Sequence, residues 1–298
     1  MSESYQFGFL PINRTIVFDD GAVEPLPSLE AEIARVRQAT HRDGYLYPPR
    51  HHDPALHVFE PLGEQTERPA HLHRMPPSHA LRLDCALAEA GPFRLGDGAF
   101  LMHFVALMFG YRLQFHEWWF DTRLPMFARR WRLPPPQHLE GRILSEAYRT
   151  WRSWPSTERT RFTNLLYMHV RSAAYEWDWE RFTVNYMVFD SCYKMAETLG
   201  LVSTAPRPRH PARFTTLFQR FNMPMNDPVT KGLVRLRNHL FHEALWDRRQ
   251  PGAGWLAGPV QADHLSRIND RVLFALAGYR GQYQSTPWWV IGQASLAP

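Results

Sequence analysis

Cysteine is nearly absent from this chain: only Cys85 and Cys192 occur among 298 residues. Two distant thiols cannot build a disulfide scaffold or a four-cysteine zinc site, and they fit a reducing cytoplasm. Several other signatures are missing. The start, MSESYQFGFLPINRT, lacks the basic opening and long apolar run of a secretory signal. The most apolar window, AFLMHFVALMFGYRLQF, is broken by His103 and Arg112. It is too short and too polar for a membrane span and predicts a buried helix followed by a strand. There is no Gly-rich phosphate loop, nucleophile elbow or kinase signature, and no internal repeat. What is present is ordinary globular material, with 44% hydrophobic residues, 11 Trp, 19 Phe and a formal net charge of +5. That charge permits an anionic partner without demanding one.

The length suits two domains. The sharpest break is the run Pro134, Pro135 and Pro136, which resists helix and strand and favours an extended connector. Residues 1–132 read as a mixed α/β or β-rich domain. RTIVFDDGAV predicts a strand entering a turn at Asp20-Gly21, and SLEAEIARVRQAT predicts a short helix. ALHVFEPL, HALRLDCAL and GYRLQFHEWWFDTRLP have strand-like patterns. Residues 139–298 read as an all-α bundle, giving an α+β fold overall. Helices are expected over Leu139–Trp154 and twice between Ser156 and Leu199, a stretch without Gly or Pro, meeting near Glu176–Trp179. A basic, Pro-rich loop follows, with Arg207, Arg209 and Arg213 and His210 nearby. Then come a short helix around Phe214–Phe221, a helix starting at Asn226-Asp227-Pro228, and a last helix through Leu265, Ile268, Val272 and Leu276.

The helix that starts at Asp227-Pro228 carries RLRNHLFHEALW. Leu233, Leu236, Leu240, Phe241 and Ala244 form one apolar face, and Arg237 falls in its middle. An unpaired charge buried there is costly, so Arg237 should meet an acid or line a cleft. Asp190 and Glu197, seven residues apart on the preceding long helix, are the expected partners, with Glu243 a third. His242 sits about 140° from Arg237 on an ideal wheel. Asn238, four residues before His242, could hold its ring. An imidazole near a ribose hydroxyl, with a guanidinium on the phosphate, is the residue set that metal-free RNA cleavage uses.

Arg237-Asn238-His239-Leu240-Phe241-His242, late in a bundle of long helices, resembles the Arg-polar-x-His signature of the HEPN superfamily (higher eukaryotes and prokaryotes nucleotide-binding). RFTVNYMVFDSCYKMAETLG is similar to that family's long helix with an acid, here Asp190, facing the motif. LSRINDRVLFALAGYRGQYQSTPWW is similar to the closing helix and tail of bacterial defence-type members. The resemblance covers residues 156–291. It implies a helical domain that often forms a homodimer with the two motifs facing, and a metal-independent endoribonuclease leaving a 2′,3′-cyclic phosphate, in a setting of phage defence or toxin-like growth arrest. Arg237 would clamp phosphate, His242 would act as acid or base, and Asn238 and Asp190 would orient them. Apart from the resemblance, the positive charge of the basic loop at Arg207, Arg209 and Arg213, with Arg235 and His239 on the motif helix, is expected to contact RNA. Other members only bind, so the alternative is a non-catalytic RNA- or nucleotide-binding or dimerisation module.

No cofactor and no metal are expected. His41, His51, His52, His57, His71, His73 and His79 crowd the first domain, but H-E-x-x-H and paired C-x-x-C spacings are absent and Pro54, Pro76 and Pro77 break helical spacing. They read as loop histidines. Trp118, Trp119 and Phe120 read as aromatics packing a sheet. The first domain matches no family in its residues and could serve as a sensor for a helical effector. Any regulatory partner is left open.

Overall fold

The computed structural model describes residues 3–47, 51–53, 58–60, 75–86, 96–116, 122–128, 131–203, 209–246, 248, 258–290 and 294–296. The fold is α+β, strands first and helices after. Two compact units divide the chain. One is Met1–Arg129 with Glu140–Ser145, and the other is Arg130–Leu139 with Glu146–Pro298. Among the described residues no helix is long and apolar enough to cross a membrane.

The first unit opens with strands β1 (Glu3–Gly8), β2 (Ile16–Phe18) and β3 (Gly21–Pro25), then helix α1 (Leu29–Ala39). The short helix is where the pattern predicts it, and the strand–turn falls one residue earlier than Asp20-Gly21, at Asp19-Asp20, with Gly21 already paired to Phe18 in the sheet. Short strands β4 (Tyr45–Leu46), β5 (His51–Asp53) and β6 (Val58–Glu60) follow, then β7 (His79–Leu83), helix α2 (Asp97–Phe109), β8 (Gln114–Phe115) and β9 (Leu124–Pro125). Five strands make one antiparallel sheet in the order β2-β3-β7-β1-β8. The middle strand β7 alternates as a sheet residue should, with His79, Leu81 and Leu83 buried. All thirteen residues of α2 are buried, so the apolar window is a core helix. Trp118, Trp119, Phe120, His57, His71 and His73 lie outside the described residues.

Helix α3 (Gln137–Arg152) begins after the triple proline. Its stretch Glu140–Ser145 belongs to the first unit. The Glu140 carboxylate binds Arg14, Ser145 Oγ accepts the Asp19 N–H at 2.9 Å, and Gly141 lies so close to Val17 that a Cβ would sit 1.9 Å from its carbonyl oxygen. The backbone approach explains the glycine.

The second unit continues with α4 (Ser156–Arg171), α5 (Asp178–Thr198), α6 (His210–Arg220), α7 (Asp227–Glu243) and α8 (Gly258–Leu276). A 3-10 turn, Ser172–Ala174, separates α4 from α5, near the expected junction. Asn226 caps α7 by accepting from Val229 N at 3.2 Å, with Pro228 in its first turn. Helix α5 packs along α8 and against α4.

A polar network fills the seam between those three helices. His169 on α4 places Nε2 2.6 Å from Asp270 Oδ1 and Nδ1 3.2 Å from Asn185 Oδ1. Asn185 Oδ1 also accepts from Asn269 Nδ2 at 3.2 Å, while Asn185 Nδ2 donates to Arg181 O at 2.8 Å. Both ring nitrogens of His169 therefore face acceptors, and the ring donates from both as an imidazolium. The second Asp270 oxygen accepts from Trp131 Nε1 at 2.7 Å and lies 3.7 Å from Arg132 Nε. His169 and Asp270 are wholly buried. The connector is thus anchored at its start rather than loose.

Two outcomes follow from these interiors. Asp270→Ala removes the counter-charge of His169 and Arg132, and should cost about 3–5 kcal/mol, read as a lower midpoint in chemical denaturation. In the first unit, burial lowers the pKa of His79 to about 4 and that of His103 to about 3. Below the ordinary histidine range the unfolded chain then binds protons that the folded chain refuses, so stability falls as pH falls from about 6.5 toward these values. Denaturation of His103→Leu across pH 7 to 4.5 should show a shallower loss than wild type, by up to about 1.4 kcal/mol per pH unit.

Candidate nucleic-acid cleavage site

The apolar stripe of α7 is deeply buried at Leu233 and Leu236, only partly at Leu240, and open at Phe241 and Ala244. The helix climbs out of the core as it runs, ending at Ala244, whose positive φ of 55° turns the chain away. Arg237 sits where the stripe surfaces. Its guanidinium lies 5.0 Å from the centre of the Phe241 ring, and one nitrogen, Nη1, donates to His242 Nε2 at 2.8 Å and to Asn238 Oδ1 at 3.1 Å. The wheel angle between Arg237 and His242 is closed by the length of the arginine.

Two expectations are corrected here. Arg237 pairs with neither Asp190 nor Glu197. Glu197 binds Lys194 Nζ at 2.5 Å, and Asp190 accepts from Arg213 Nη1 at 2.8 Å. The stripe leaves the interior past Leu236, so Arg237 needs no buried acid. Asn238 steadies the arginine, not the histidine ring, because its carboxamide oxygen faces Nη1. Arg237 Nε is buried and has no hydrogen-bond partner.

Beside this pair, α5 and α6 bring up a second group. Asp190 Oδ1 faces His210 Nδ1 at 3.5 Å as well as Arg213. The side chains of Asp190, His210 and Arg213 are 29%, 23% and 27% exposed, enough for a ligand to reach them. Tyr186 joins the two groups. Its ring centre is 5.6 Å from that of His210 and 6.1 Å from that of Phe241, and its hydroxyl is buried without a hydrogen-bond partner. Burial pushes the Tyr186 phenol well up, helped by Asp190 and opposed by Arg237 and Arg213. Burial also holds the His210 imidazole below its ordinary range. The Asp190 charge works against that shift, and Arg237 and Arg213 reinforce it. The same arginines act on both residues, so the two groups form one cluster.

The remaining candidates spread around it. Arg209 stands at the start of α6 without a side-chain cap and is exposed, Arg235 is exposed on α7, and His239 is half-buried. Arg207 lies outside the described residues. On sequence alone Tyr186 counts with the apolar stripe and His210 with the basic loop. Their shared position 24 residues apart is a product of how α5 and α6 pack. With Asp190 spent on Arg213, the cluster holds two guanidiniums and one carboxylate, a surplus positive charge suited to phosphate. Among the described residues no three or more His, Cys, Asp or Glu side chains are grouped to hold a metal.

Charge coupling within the cluster can be read directly. Proton titration of His210 by NMR should give a lower pKa in Asp190→Asn and a higher one in Arg237→Gln. No movement in either would mean that the two groups are separate. No family model, curated protein or solved structure matches this chain.

Proposed function

We propose that the α5–α6–α7 cluster is the active site of a metal-independent endoribonuclease of the HEPN type. The observation that carries this reading is the direct Arg237–His242 hydrogen bond of 2.8 Å, made by an arginine with no carboxylate partner among the described residues. A structural arginine would be expected to spend its charge on an acid. This one rests on a neutral imidazole at the surface, and a phosphate can take its place.

The chemistry follows from the donors and acceptors. Arginine always donates, so His242 Nε2 accepts in the resting arrangement and its lone pair is occupied. An RNA phosphate competes for the guanidinium as a bidentate partner. Once Arg237 turns to the phosphate, His242 Nε2 is released for proton transfer as acid or base. The guanidinium then faces the oxygens that gain charge as the O2′–P bond forms, and steadies them. Asn238 Oδ1 gives the guanidinium a second partner in the resting arrangement. Arg209 and Arg235, exposed on α6 and α7, extend the positive surface along which an RNA backbone could lie.

The wider setting, RNA as partner, a homodimer with facing motifs and a role in phage defence or growth arrest, belongs to the same reading. Phe241, 39% exposed beside the site, is the apolar surface that a second copy would cover. The direct test is cleavage of total tRNA and mixed single-stranded RNA by the full chain in EDTA. Wild type should leave 2′,3′-cyclic phosphate ends, and His242→Ala and Arg237→Ala should each lose about 100-fold or more. Variants that keep all the activity of a clean wild-type preparation would sink the reading in favour of a binding module.

A further inference from the structure

Helix α8 borders a cavity of about 230 Å³ whose walls all belong to the second unit. Arg267 and Arg271, one turn apart on the same face of α8, stand on one side of it. Trp131, Thr286, Trp288 and Val290 are among the residues that complete it. The cavity shares no residue with the α5–α6–α7 cluster. Its volume lies below the roughly 300–1,000 Å³ of pockets for drug-sized molecules, so its occupant is small.

The two guanidiniums are held in place but not neutralised. Arg267 Nη1 donates to Val290 O at 2.8 Å and to Trp288 O at 3.4 Å. Arg271 donates to Thr286 Oγ1 at 2.7 Å, Arg267 O at 3.0 Å and the Tyr283 hydroxyl at 3.4 Å. Each of these acceptors is neutral, and neither arginine meets a carboxylate among the described residues. Asp270 is engaged by His169, Trp131 and Arg132, and Asp263, one turn before Arg267, is bound to Arg181. Burial pulls the Arg271 guanidinium below its ordinary value. Tyr283 and Asp270 oppose that shift, and Arg267 and Arg132 reinforce it. Arg271 is 2% exposed, yet its Nε has no hydrogen-bond partner, and the same holds for the buried Nε of Arg267. Positive charge in such a place is costly unless an anion meets it. Arg267 is only partly buried, and its Nη2 makes no hydrogen bond to a described residue, so it keeps donors for that anion.

The apolar side of the cavity is equally fixed. Trp131 Nε1 donates to Asp270 Oδ2 at 2.7 Å, and Trp288 Nε1 donates to Pro224 O at 2.9 Å. The Arg267 guanidinium lies 5.8 Å from the centre of the Trp131 ring. Cation and indole therefore stand side by side before any ligand arrives, which lowers the ordering cost of binding. We propose that this cavity binds a small phosphate monoester carrying a flat ring, with the phosphate on Arg267 and the ring packed on Trp131. Two guanidiniums without a carboxylate contact match the double charge of such an ester near neutral pH, whereas a carboxylate would answer only one of them. Phosphate alone would leave most of the apolar wall uncovered, and an aromatic body covers it. The assignment does not depend on the ribonuclease reading.

Calorimetric titration of the full chain tests it with phenyl phosphate, inorganic phosphate, benzoate and phenol. Phenyl phosphate should bind with a Kd on the order of 1 mM or tighter. The other three should bind about 10-fold or more weaker, since inorganic phosphate lacks the ring, benzoate the second charge and phenol any charge. Arg267→Gln should weaken phenyl phosphate about 10- to 100-fold. Arg267→Lys, which keeps the charge but not the planar fork, should fall between it and wild type. Arg237→Gln should bind as wild type does. Affinity should fall as pH drops through about 6, where the ester takes up a proton. Should Arg267→Gln lose its fold, Arg267→Lys and the pH dependence of wild type decide. No heat of binding and no rise in Tm with phenyl phosphate at about 10 mM, ten times the expected Kd, would overturn the proposal. Equal affinity for benzoate, or wild-type affinity in the Arg267 variants, would overturn it too. Loss of binding in Arg237→Gln alone would place the phosphate at the α7 cluster instead. None of these results bears on cleavage, which is read at His242.

Discussion

The carboxylate of Asp270 is surrounded on all sides, with His169 on one oxygen and Trp131 and Arg132 on the other, in an interior closed to water. A buried charge of this kind is tolerated only when its partners are held in place, so the network demands that α4, α8 and the segment before α3 keep one register. Asn185 extends the demand to α5. It bonds His169 and Asn269 through its side-chain oxygen and the α5 backbone through its nitrogen. Apolar contacts alone would let these helices slide by small amounts at little cost. The polar seam does not.

The candidate site inherits that register. Tyr186 follows Asn185 directly, and Asp190 lies one turn further on, the helical neighbour of Tyr186. With Asn185 pinned to α8, these two must point the other way, toward α6 and α7. Phe189 stacks on Phe214 at 3.9 Å between ring centres and seats α6, which brings His210 and Arg213 onto Asp190. Phe214 in turn packs edge-on to Tyr186. A chain of contacts thus runs from a buried ion pair to a half-open cluster, and each step is side-chain packing between neighbours.

Charge within the cluster is unevenly shared. Asp190 serves Arg213 closely and His210 at a longer distance, which leaves Arg237 with neutral partners only. The aromatic rings of Tyr186 and Phe241 form the low-polarity side on which these groups rest. In such surroundings each charge acts strongly on its neighbours, which is why His210 and Tyr186 both respond to the same two arginines.

The helices were legible from residue order, because a Gly- and Pro-free stretch with apolar residues at helical spacing has one stable outcome. The Asn226-Asp227-Pro228 start, the hairpin turn to within one residue, and the buried α2 were legible for equally local reasons. The Arg237–His242 pairing was half legible. The sequence places both on one helix five residues apart, but their meeting depends on the stripe surfacing at Leu240, which residue spacing does not encode. The partner of Asp190, the inclusion of His210 and Tyr186, and the return of Glu140–Ser145 to the first unit were decided by tertiary structure alone. These depend on which faces of separate helices and strands come within a few ångströms, and that is set by the whole set of packed contacts, with no trace in any single stretch of chain.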